Sequence, residues 1–139
     1  IVKGPAYIGK GSSIGVGAFI RESCDIADNV VIGSRSEVKS SNIQSKVTIS
    51  SSCFIADSII GEEVTIAPNV VTLNILPPHV KVKRLIDTLR PLKYLKLGAI
   101  VGKKARIGAG TVLYPGAIVA YGEWVEPLSR VETQVYAEE

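Results

Sequence analysis

The aliphatic residues of this chain recur at a spacing of six. Seven anchors follow one another without a break, at Val2, Ile8, Ile14, Ile20, Ile26, Ile32 and Val38. Four residues after each of the first six anchors stands a small side chain, at Ala6, Ser12, Ala18, Cys24, Val30 and Ser36. A period of six fits neither an α-helix nor a simple strand. The pattern therefore predicts a repeat in which each unit supplies one short strand and one turn.

Three such units make one triangular coil, and coils stack at about 4.8 Å, the spacing of neighbouring strands. The anchors predict an all-β parallel β-helix of about six coils, over residues 2–72 and 101–136. Two steps, from Val38 to Ile43 and from Ile55 to Ile60, are five residues long. Each removes one turn residue at a corner, so that the next anchor still points inward.

The repeat stops between Leu73 and Ala99, a stretch that contains Pro77, Pro78 and Pro91, and it resumes at Val101. This break predicts an excursion loop, residues 73–99, directed outward from the stack. Long loops on rigid scaffolds are commonly functional or disordered. The polar and charged end of the chain is expected to form a short C-terminal cap over the open strand edges.

Composition narrows the class of protein. The chain is 46% hydrophobic and only 6% aromatic, which fits a narrow core of stacked Ile and Val. Cys24 and Cys53 fall on small positions of the repeat and are expected to be buried, unpaired thiols of a cytoplasmic protein. One His and two separated Cys argue against a zinc site, and we expect no metal. No apolar run reaches the roughly 18–20 residues of a transmembrane helix.

Basic residues are concentrated in one part of the chain. Nine of the sixteen lie between 81 and 106, at Lys81, Lys83, Arg84, Arg90, Lys93, Lys96, Lys103, Lys104 and Arg106, and only Asp87 opposes them in that stretch. Such a surface would attract phosphorylated ligands. Nucleic acid is disfavoured because Tyr94 is the only aromatic residue there to stack on bases. A solvated charged surface remains the alternative.

Several blocks of sequence resemble a known family. Anchors followed by Gly are typical of hexapeptide-repeat acyltransferases, and they stand at Ile8-Gly9, Ile14-Gly15, Ile32-Gly33, Ile60-Gly61 and Ile107-Gly108. The match narrows at Arg21, Glu37-Val38-Lys39, residues 56–62, Asp87-Thr88, residues 96–102 and Leu113-Tyr114-Pro115-Gly116. Together these blocks resemble the C-terminal domain of bifunctional sugar-1-phosphate nucleotidylyltransferase/glucosamine-1-phosphate acetyltransferases, especially the archaeal type.

The resemblance implies a left-handed parallel β-helix, a homotrimer, and sugar phosphate and acyl-CoA as ligands. It implies no covalently bound cofactor, with acetyl-CoA as a candidate co-substrate. In that family a nucleotidylyltransferase domain precedes the β-helix. Because the chain begins at Ile1 and contains no Met, we expect residues 1–139 to be one β-helix domain of a longer protein.

The resemblance also implies a substrate site. Arg21 and Lys39 fall where the family contacts the sugar phosphate, and Asn74 matches an asparagine near the reacting amine. Since Arg21 and Lys39 both follow inward anchors, we expect their side chains to project from one outer face, one coil apart, and to clamp a phosphate. Two solvated cations, and an ordinary turn asparagine, remain the alternatives.

The family's catalytic position is altered. The resemblance implies a His six residues before Asp57 and a Tyr three residues before it, but the chain has Ser51 and Phe54 there. A serine with no adjacent base cannot take a proton from an ammonium group near neutral pH. Phe54 and Asp57 remain predicted substrate contacts. His79, the only histidine, is the candidate replacement base, and an exposed loop histidine is the alternative.

Candidate contacts to the co-substrate are the cations Lys96, Lys103, Lys104 and Arg106. Three hypotheses remain open. The chain binds a sugar phosphate and assembles a trimer without acetyl transfer, or it is an active N-acetyltransferase on an amino-sugar 1-phosphate, or it is a purely structural or regulatory oligomerisation domain.

Overall fold

The computed structural model describes residues 1–75 and 96–132. This part of the chain forms nineteen strands of two or three residues. In chain order they are β1 (Val2–Lys3), β2 (Ala6–Ile8), β3 (Ser13–Ile14), β4 (Phe19–Arg21), β5 (Cys24–Ile26), β6 (Val31–Ile32), β7 (Glu37–Lys39), β8 (Asn42–Ile43), β9 (Thr48–Ile49), β10 (Phe54–Ala56), β11 (Ile59–Ile60), β12 (Thr65–Ile66), β13 (Val71–Thr72), β14 (Ile100–Val101), β15 (Arg106–Ile107), β16 (Val112–Leu113), β17 (Ile118–Val119), β18 (Trp124–Val125) and β19 (Arg130–Val131).

Three parallel sheets form the faces of a triangular prism. Sheet A has the order β1-β4-β7-β10-β13-β16-β19, sheet B has β17-β14-β11-β8-β5-β2, and sheet C has β18-β15-β12-β9-β6-β3. Each strand pairs with the third strand before and after it, so the chain visits every face once per coil. The described strands make six coils and the first strand of a seventh. The predicted β-helix is confirmed.

The predicted anchors from Ile20 to Val125 fill the core, whereas Val2 and Ile8 of the first coil are exposed. Each one stacks on the anchor of the next coil, as Ile20 does on Val38 and Ile32 on Ile49. Ile43 and Ile60, the anchors that follow the five-residue steps, are 1% and 0% exposed. The shortened corners therefore keep the anchors inward, as expected. Burial of this continuous aliphatic column is the main force that holds the coils together.

One anchor, Thr72, is polar, and its hydroxyl forms hydrogen bonds with the main chain of β10. Thr72 is fully buried, and its Oγ1 accepts a hydrogen bond of 2.8 Å from the Ala56 N–H. The same hydroxyl lies 3.2 Å from the Phe54 carbonyl oxygen, to which it donates. Thr72 thus satisfies main-chain groups of β10 beside the point where the chain leaves the stack.

Both cysteines are buried and unpaired, as predicted. Each thiol donates to a carbonyl of its corner, Cys24 to Arg21 and Cys53 to Ala67, both at 3.2 Å. Burial raises the pKa of the Cys53 thiol. A neutral, buried thiol is a packing group rather than a nucleophile.

The break in the repeat lies between two strands of one coil. Its flanking strands β13 and β14 belong to sheets A and B of the same coil, so the break lies inside the fifth coil and not between two coils. The Leu73 N–H donates to the Leu113 carbonyl at 2.8 Å. The Leu97 N–H donates to the Asn74 carbonyl at 3.1 Å, and the Gly98 N–H to the Asp57 carbonyl at 2.8 Å. Residues 73–74 and 97–99 are therefore hydrogen-bonded parts of the stack.

Several sequence-based predictions fall outside the described residues. His79 and most of the predicted excursion loop lie between residues 76 and 95, and the predicted C-terminal cap lies in part beyond residue 132. Five of the nine clustered basic residues also lie there, namely Lys81, Lys83, Arg84, Arg90 and Lys93. Within the described residues, the end of the chain continues the repeat through β18 and β19.

Candidate functional site

A row of ionic and polar side chains crosses four coils at the corner between sheets A and B. We call it the charged ladder, and it consists of Arg21, Glu22, Glu37, Lys39, Asp57 and Asn74. Arg21 and Lys39 are register partners on β4 and β7, one coil apart as predicted. Because every coil enters the corner at the same position, residues about 17 or 18 apart in sequence become neighbours along the stack.

Arg21 is held by two carboxylates. Its Nε donates to Glu37 Oε1 at 2.5 Å, and its Nη1 donates to Glu22 Oε1 at 2.6 Å. The guanidinium carbon also lies 5.7 Å from the centre of the Phe19 ring, within cation–π range. The hydrogen bond that Arg21 donates to Glu37, followed by the charges of Glu37 and Glu22, raises the pKa of Arg21. Arg21 is therefore a fully charged cation with its ion pairs already made.

Lys39 is buried, which differs from the expected surface cation. Its side chain is 5% exposed, and Nζ lies 3.2 Å from Glu22 Oε2 and 3.6 Å from Asp57 Oδ2. Burial alone would lower the pKa of Lys39, but the hydrogen bond to Glu22 and the charge of Asp57 outweigh burial and raise it. The side chain can stay buried in the corner because carboxylates of the preceding and the following coil neutralise its charge there. Its role in phosphate binding stays a prediction.

Asp57 joins both ends of the excursion to the ladder. Its Oδ2 accepts a hydrogen bond of 2.8 Å from Asn74 Nδ2, and its carbonyl accepts the Gly98 N–H. Asp57 has a φ of 51°, in the left-handed region that Asp and Asn tolerate better than most residues. Asp57 and Asn74, predicted as substrate contacts, are thus hydrogen-bonded to one another in this structure.

Gly98 is needed where the chain returns to the stack. A Cβ atom at this position would lie only 2.1 Å from both the Ala56 carbonyl oxygen and Ser58 Oγ. The backbones of neighbouring coils approach so closely there that no larger residue fits.

Two shallow grooves flank the ladder. The ladder groove has a volume of about 530 Å³ and is lined by Lys3, Gly4, Phe19, Arg21, Glu22 and Glu37. The corner groove has a volume of about 450 Å³, and its lining includes Asp25, Asn42, Asp57 and the exposed Lys96. The ladder therefore faces solvent on both sides, with cations and carboxylates at each opening.

Ser51 is not brought to the ladder within one chain. It precedes β10, at the corner between sheets C and A, whereas Asp57 follows β10 at the other end of the strand. No hydrogen-bond partner of its hydroxyl is found among residues 1–75 and 96–132, although its carbonyl accepts the Asn69 N–H. Phe54 lies half-buried on the outer face of sheet A, in register with Glu37 and Val71. The structure thus separates the altered catalytic position from the predicted phosphate contacts.

The four candidate co-substrate contacts lie in different places. Lys96 lines the corner groove. Lys103 and Lys104 follow β14 at the corner between sheets B and C, and Arg106 is exposed on sheet C in register with Thr65 and Trp124. The described structure therefore does not gather these cations into one cluster.

Two of those cations are also paired with carboxylates. Lys103 Nζ lies 3.1 Å from Glu62 Oε2, and Lys104 Nζ lies 4.0 Å from Glu63 Oε2. The hydrogen bond to Glu62 raises the pKa of Lys103. Asp87 is the only acidic residue within residues 81–106, but stacking also brings Glu62 and Glu63 of the preceding coil to this basic stretch.

Sequence reasoning missed three members of the site. Glu22 and Glu37 received no role, although Glu22 binds both Arg21 and Lys39 and Glu37 binds Arg21. Lys3 was also missed, yet it is the register partner of Arg21, which in turn pairs with Lys39. The sequence contained a signal that could have identified Lys3, because Lys3, Arg21 and Lys39 follow one another at intervals of 18 residues, the length of one coil.

No group of three or more His, Cys, Asp and Glu side chains that could hold a metal ion occurs in the described parts of the chain. Nor does any helix there have the length and apolar character to span a membrane.

Six-residue units wound around a single aliphatic column define a left-handed β-helix of the hexapeptide-repeat transferase class. The chain belongs to the GMPPB C-terminal domain family, whose sequence model matches residues 2–89.

Two curated relatives match most of the chain, and one of them is an acetyltransferase by name. The chain is 34% identical over 108 residues to the bifunctional protein GlmU of Methanocaldococcus jannaschii, which covers 78% of this chain and 26% of that protein. It is 31% identical over 137 residues to the uncharacterized acetyltransferase YaiX of Escherichia coli O6:K15:H31, covering 95% of this chain and 58% of the relative. The chain thus spans about a quarter to three fifths of the lengths of these two relatives.

Solved structures share the fold. The acetyltransferase domain of PglB from Neisseria gonorrhoeae superposes with a TM-score of 0.62 at 22% identity, over 86% of this chain and 50% of that one. A hexapeptide transferase family protein from Anaplasma phagocytophilum gives a TM-score of 0.57 at 20% identity, over 99% of this chain and 72% of that one. At these identities the superpositions establish the fold alone.

Proposed function

We propose that this chain is the sugar-phosphate-binding β-helix domain of a sugar-1-phosphate nucleotidylyltransferase-type protein, assembled as a homotrimer and without acetyl-transfer activity. One observation carries the proposal. The cations Arg21 and Lys39 meet in register at one corner, whereas Ser51, at the family's base position, lies at the far end of β10 with no proton acceptor on its hydroxyl among the described residues.

Phosphate binding is supported by the chemistry of the ladder groove. A guanidinium and an ammonium one coil apart match the oxygen atoms of a phosphate monoester. The groove beside Arg21 has the volume for a monosaccharide, and the Phe19 ring supplies an apolar wall. A sugar 1-phosphate is therefore the ligand class that the groove fits best.

The proposed absence of acetyl transfer is supported by the protonation states of the candidate bases that the structure describes. A general base must be deprotonated and within reach of the proton that it removes. The raised pKa of Lys39 keeps its amino group protonated near neutral pH, and the Ser51 hydroxyl has no hydrogen-bond partner among the described residues. His79 lies outside the described residues, and its role as a base stays a prediction.

Trimer assembly is supported by a row of exposed isoleucines on sheet B. Ile59, Ile100 and Ile118 are register partners on β11, β14 and β17, and each is more than 40% exposed. An apolar row on a rigid, flat face is typical of a surface that associates with protein. We expect light scattering to give three times the chain mass, and Ile100→Glu to reduce it toward the mass of one chain.

The test of function combines calorimetry with a thiol-release assay. We expect glucosamine 1-phosphate to bind the wild-type chain and to bind Arg21→Ala more weakly by tenfold or more. We expect no thiol release from acetyl-CoA in the presence of the sugar phosphate. Clear acetyl-CoA-dependent turnover would overturn the second part, and failure to bind any sugar phosphate would favour a purely structural or regulatory oligomerisation domain.

An active N-acetyltransferase is the second candidate. It is favoured by the acetyltransferase names of the relatives and by a PglB acetyltransferase domain complex with acetyl coenzyme A, which shares the fold at a TM-score of 0.60. Lys96, exposed in the corner groove, is the cation best placed to meet a co-substrate phosphate near Asp57. If thiol release is observed, His79→Ala tests the base, and unchanged activity would exclude His79.

A further inference from the structure

Three cations stack in register at the C-terminal ends of neighbouring strands of sheet A, β1, β4 and β7. Lys3 pairs with Arg21 and Arg21 pairs with Lys39 on successive coils, at the roughly 4.8 Å spacing of parallel strands. Like charges at that spacing repel one another unless something neutralises them. In this structure carboxylates of the protein itself neutralise Arg21 and Lys39, whereas Lys3 makes no ion pair among the described residues.

Glu22 binds two of these cations at once. Its Oε1 lies 2.6 Å from Arg21 Nη1, and its Oε2 lies 3.2 Å from Lys39 Nζ. The carboxylate therefore bridges the two cations with one oxygen on each, as two oxygens of a phosphate group would. Glu37 adds a further carboxylate oxygen on Arg21 Nε at 2.5 Å.

The Glu22 side chain is much more exposed than that of Lys39, the cation that it pairs with. The Glu22 side chain is 54% exposed, whereas the Lys39 side chain is 5% exposed. Lys39 is also tied to Asp57, whose side chain is 15% exposed. Displacing Glu22 toward solvent would therefore leave Asp57 as the ion-pair partner of Lys39 among the described residues and free the ammonium for another anion.

We infer that Glu22 and Glu37 mask a phosphate site formed by Lys3, Arg21 and Lys39, and that a phosphate monoester binds there by displacing the Glu22 carboxylate. Binding is an exchange of one anion for another, with no covalent step. The inference deepens the proposed function and rests on it for the sugar, but not for the phosphate group.

Charge balance supports the exchange. The three cations face three carboxylates, those of Glu22, Glu37 and Asp57, so the intact ladder offers no excess positive charge to an anion. Withdrawal of Glu22 leaves an excess of one positive charge, and withdrawal of Glu37 as well raises it to two, the charge of a phosphate monoester dianion. The carboxylates thus weaken binding of anions that cannot compete with them, and phosphate, with three acceptor oxygens, competes better than a monoanion.

The test compares glutamine variants, which keep the side-chain shape and remove the charge. Inorganic phosphate and glucosamine 1-phosphate are titrated by calorimetry at low salt into the wild-type chain, Glu22→Gln, Glu37→Gln and the control Glu126→Gln. Glu126 is exposed, and its side chain has no hydrogen bond among the described residues. We expect Glu22→Gln to bind inorganic phosphate about tenfold more tightly than the wild type, and the control, which changes net charge equally, to leave affinity unchanged.

A further variant tests the third cation. In the Glu22→Gln background, Lys3→Met should return phosphate affinity toward the wild-type value, because Lys3 makes no ion pair in the described residues that would tie it elsewhere. Lys3 is exposed on the first coil, so this substitution also avoids disturbing the core. Circular dichroism of each variant confirms that the fold is retained.

The possible outcomes separate this inference from the proposed function. Equal phosphate affinity in the wild type, Glu22→Gln and control would overturn masking, as would the absence of phosphate binding in every variant. Tight sugar-phosphate binding by the wild type, unchanged in Glu22→Gln, would overturn masking and leave the proposed function standing. Enhanced phosphate binding without any preference for the sugar phosphate would support masking and count against the proposed function.

Discussion

The side-chain amide of Asn74 donates a hydrogen bond of 2.8 Å to the Asp57 carboxylate, which links the residue where the chain leaves the stack to the coil before it. The Asp57 carbonyl accepts the N–H of Gly98, where the chain returns. One residue therefore fixes both ends of a segment that interrupts the repeat, and it also neutralises Lys39. The ladder and the two described ends of the excursion, residues 73–75 and 96–99, are consequently one structural unit.

Replacing Asp57 by asparagine should loosen that unit. Asn tolerates the left-handed backbone of this position, but it removes the charge that faces Lys39. We expect a loss of about 1–2 kcal/mol in the free energy of unfolding and faster hydrogen exchange at the Leu97 and Gly98 amides. Asp25→Asn is the matched control, because Asp25 is exposed and has a single 3.4 Å hydrogen bond, from Asn42. Equal exchange rates in both variants would contradict the role of Asp57.

Gly98→Ala should be strongly destabilising. A Cβ atom there would overlap the Ala56 carbonyl oxygen and Ser58 Oγ, both part of the rigid stack. We expect a loss of about 3 kcal/mol or more, measured by urea unfolding. Gly122→Ala is the control, since its Cβ would meet nothing within 4 Å and only its φ of 66° opposes a side chain. That variant should lose about 1 kcal/mol. A smaller loss at Gly98 than at Gly122 would be inconsistent with the packing described.

Thr72→Val tests the polar anchor. Valine has nearly the same shape but leaves the Ala56 N–H without its acceptor in a buried site. We expect a loss of about 1–3 kcal/mol in the free energy of unfolding. Thr65→Val, at an exposed strand position, should change it by less than about 0.5 kcal/mol. If the two substitutions have the same effect, the hydroxyl of Thr72 has no special structural role.

The ladder should make stability depend on pH. The hydrogen bond from Lys39, together with the charges of Lys39 and Arg21, lowers the pKa of Glu22 in the folded protein. Its contribution is therefore complete above the unfolded glutamate pKa of about 4.3 and is lost as the pH falls through the lower folded value. The pKa of Lys39 is raised, so its contribution is complete below roughly 10.4 and is lost as the pH rises through the higher folded value.

Melting temperatures of the wild type and Glu22→Gln, measured from pH 3 to pH 11, test this dependence. The wild type should melt higher near neutral pH, and the difference should shrink toward both ends of the range. Glu126→Gln should track the wild type throughout. A difference that does not vary with pH would show that Glu22 contributes through packing rather than charge.

The fold could be predicted from the sequence because each unit carries its own signal. Core residues such as Ile26 and Ile43 could be identified from the local sequence, because an aliphatic residue recurs every five or six positions and all of these residues must face the same narrow core. The register that brings Arg21 to Lys39 followed from the same count. The position of the excursion was predicted only to the nearest strand, because the anchors give the period but not which face of the prism each one belongs to.

The sequence by itself determined the β-helix, its inward anchors and the meeting of Arg21 with Lys39, because these depend on a short period that is written into every coil. Only the tertiary structure decided which carboxylates face those cations. Glu37, Glu22 and Asp57 reach them through side-chain conformations and corner geometry, at sequence separations of 1 to 18 residues that no local pattern distinguishes. An ion pair forms only where the charged ends of two flexible side chains meet, and their positions depend on how neighbouring coils pack, which the six-residue period does not specify.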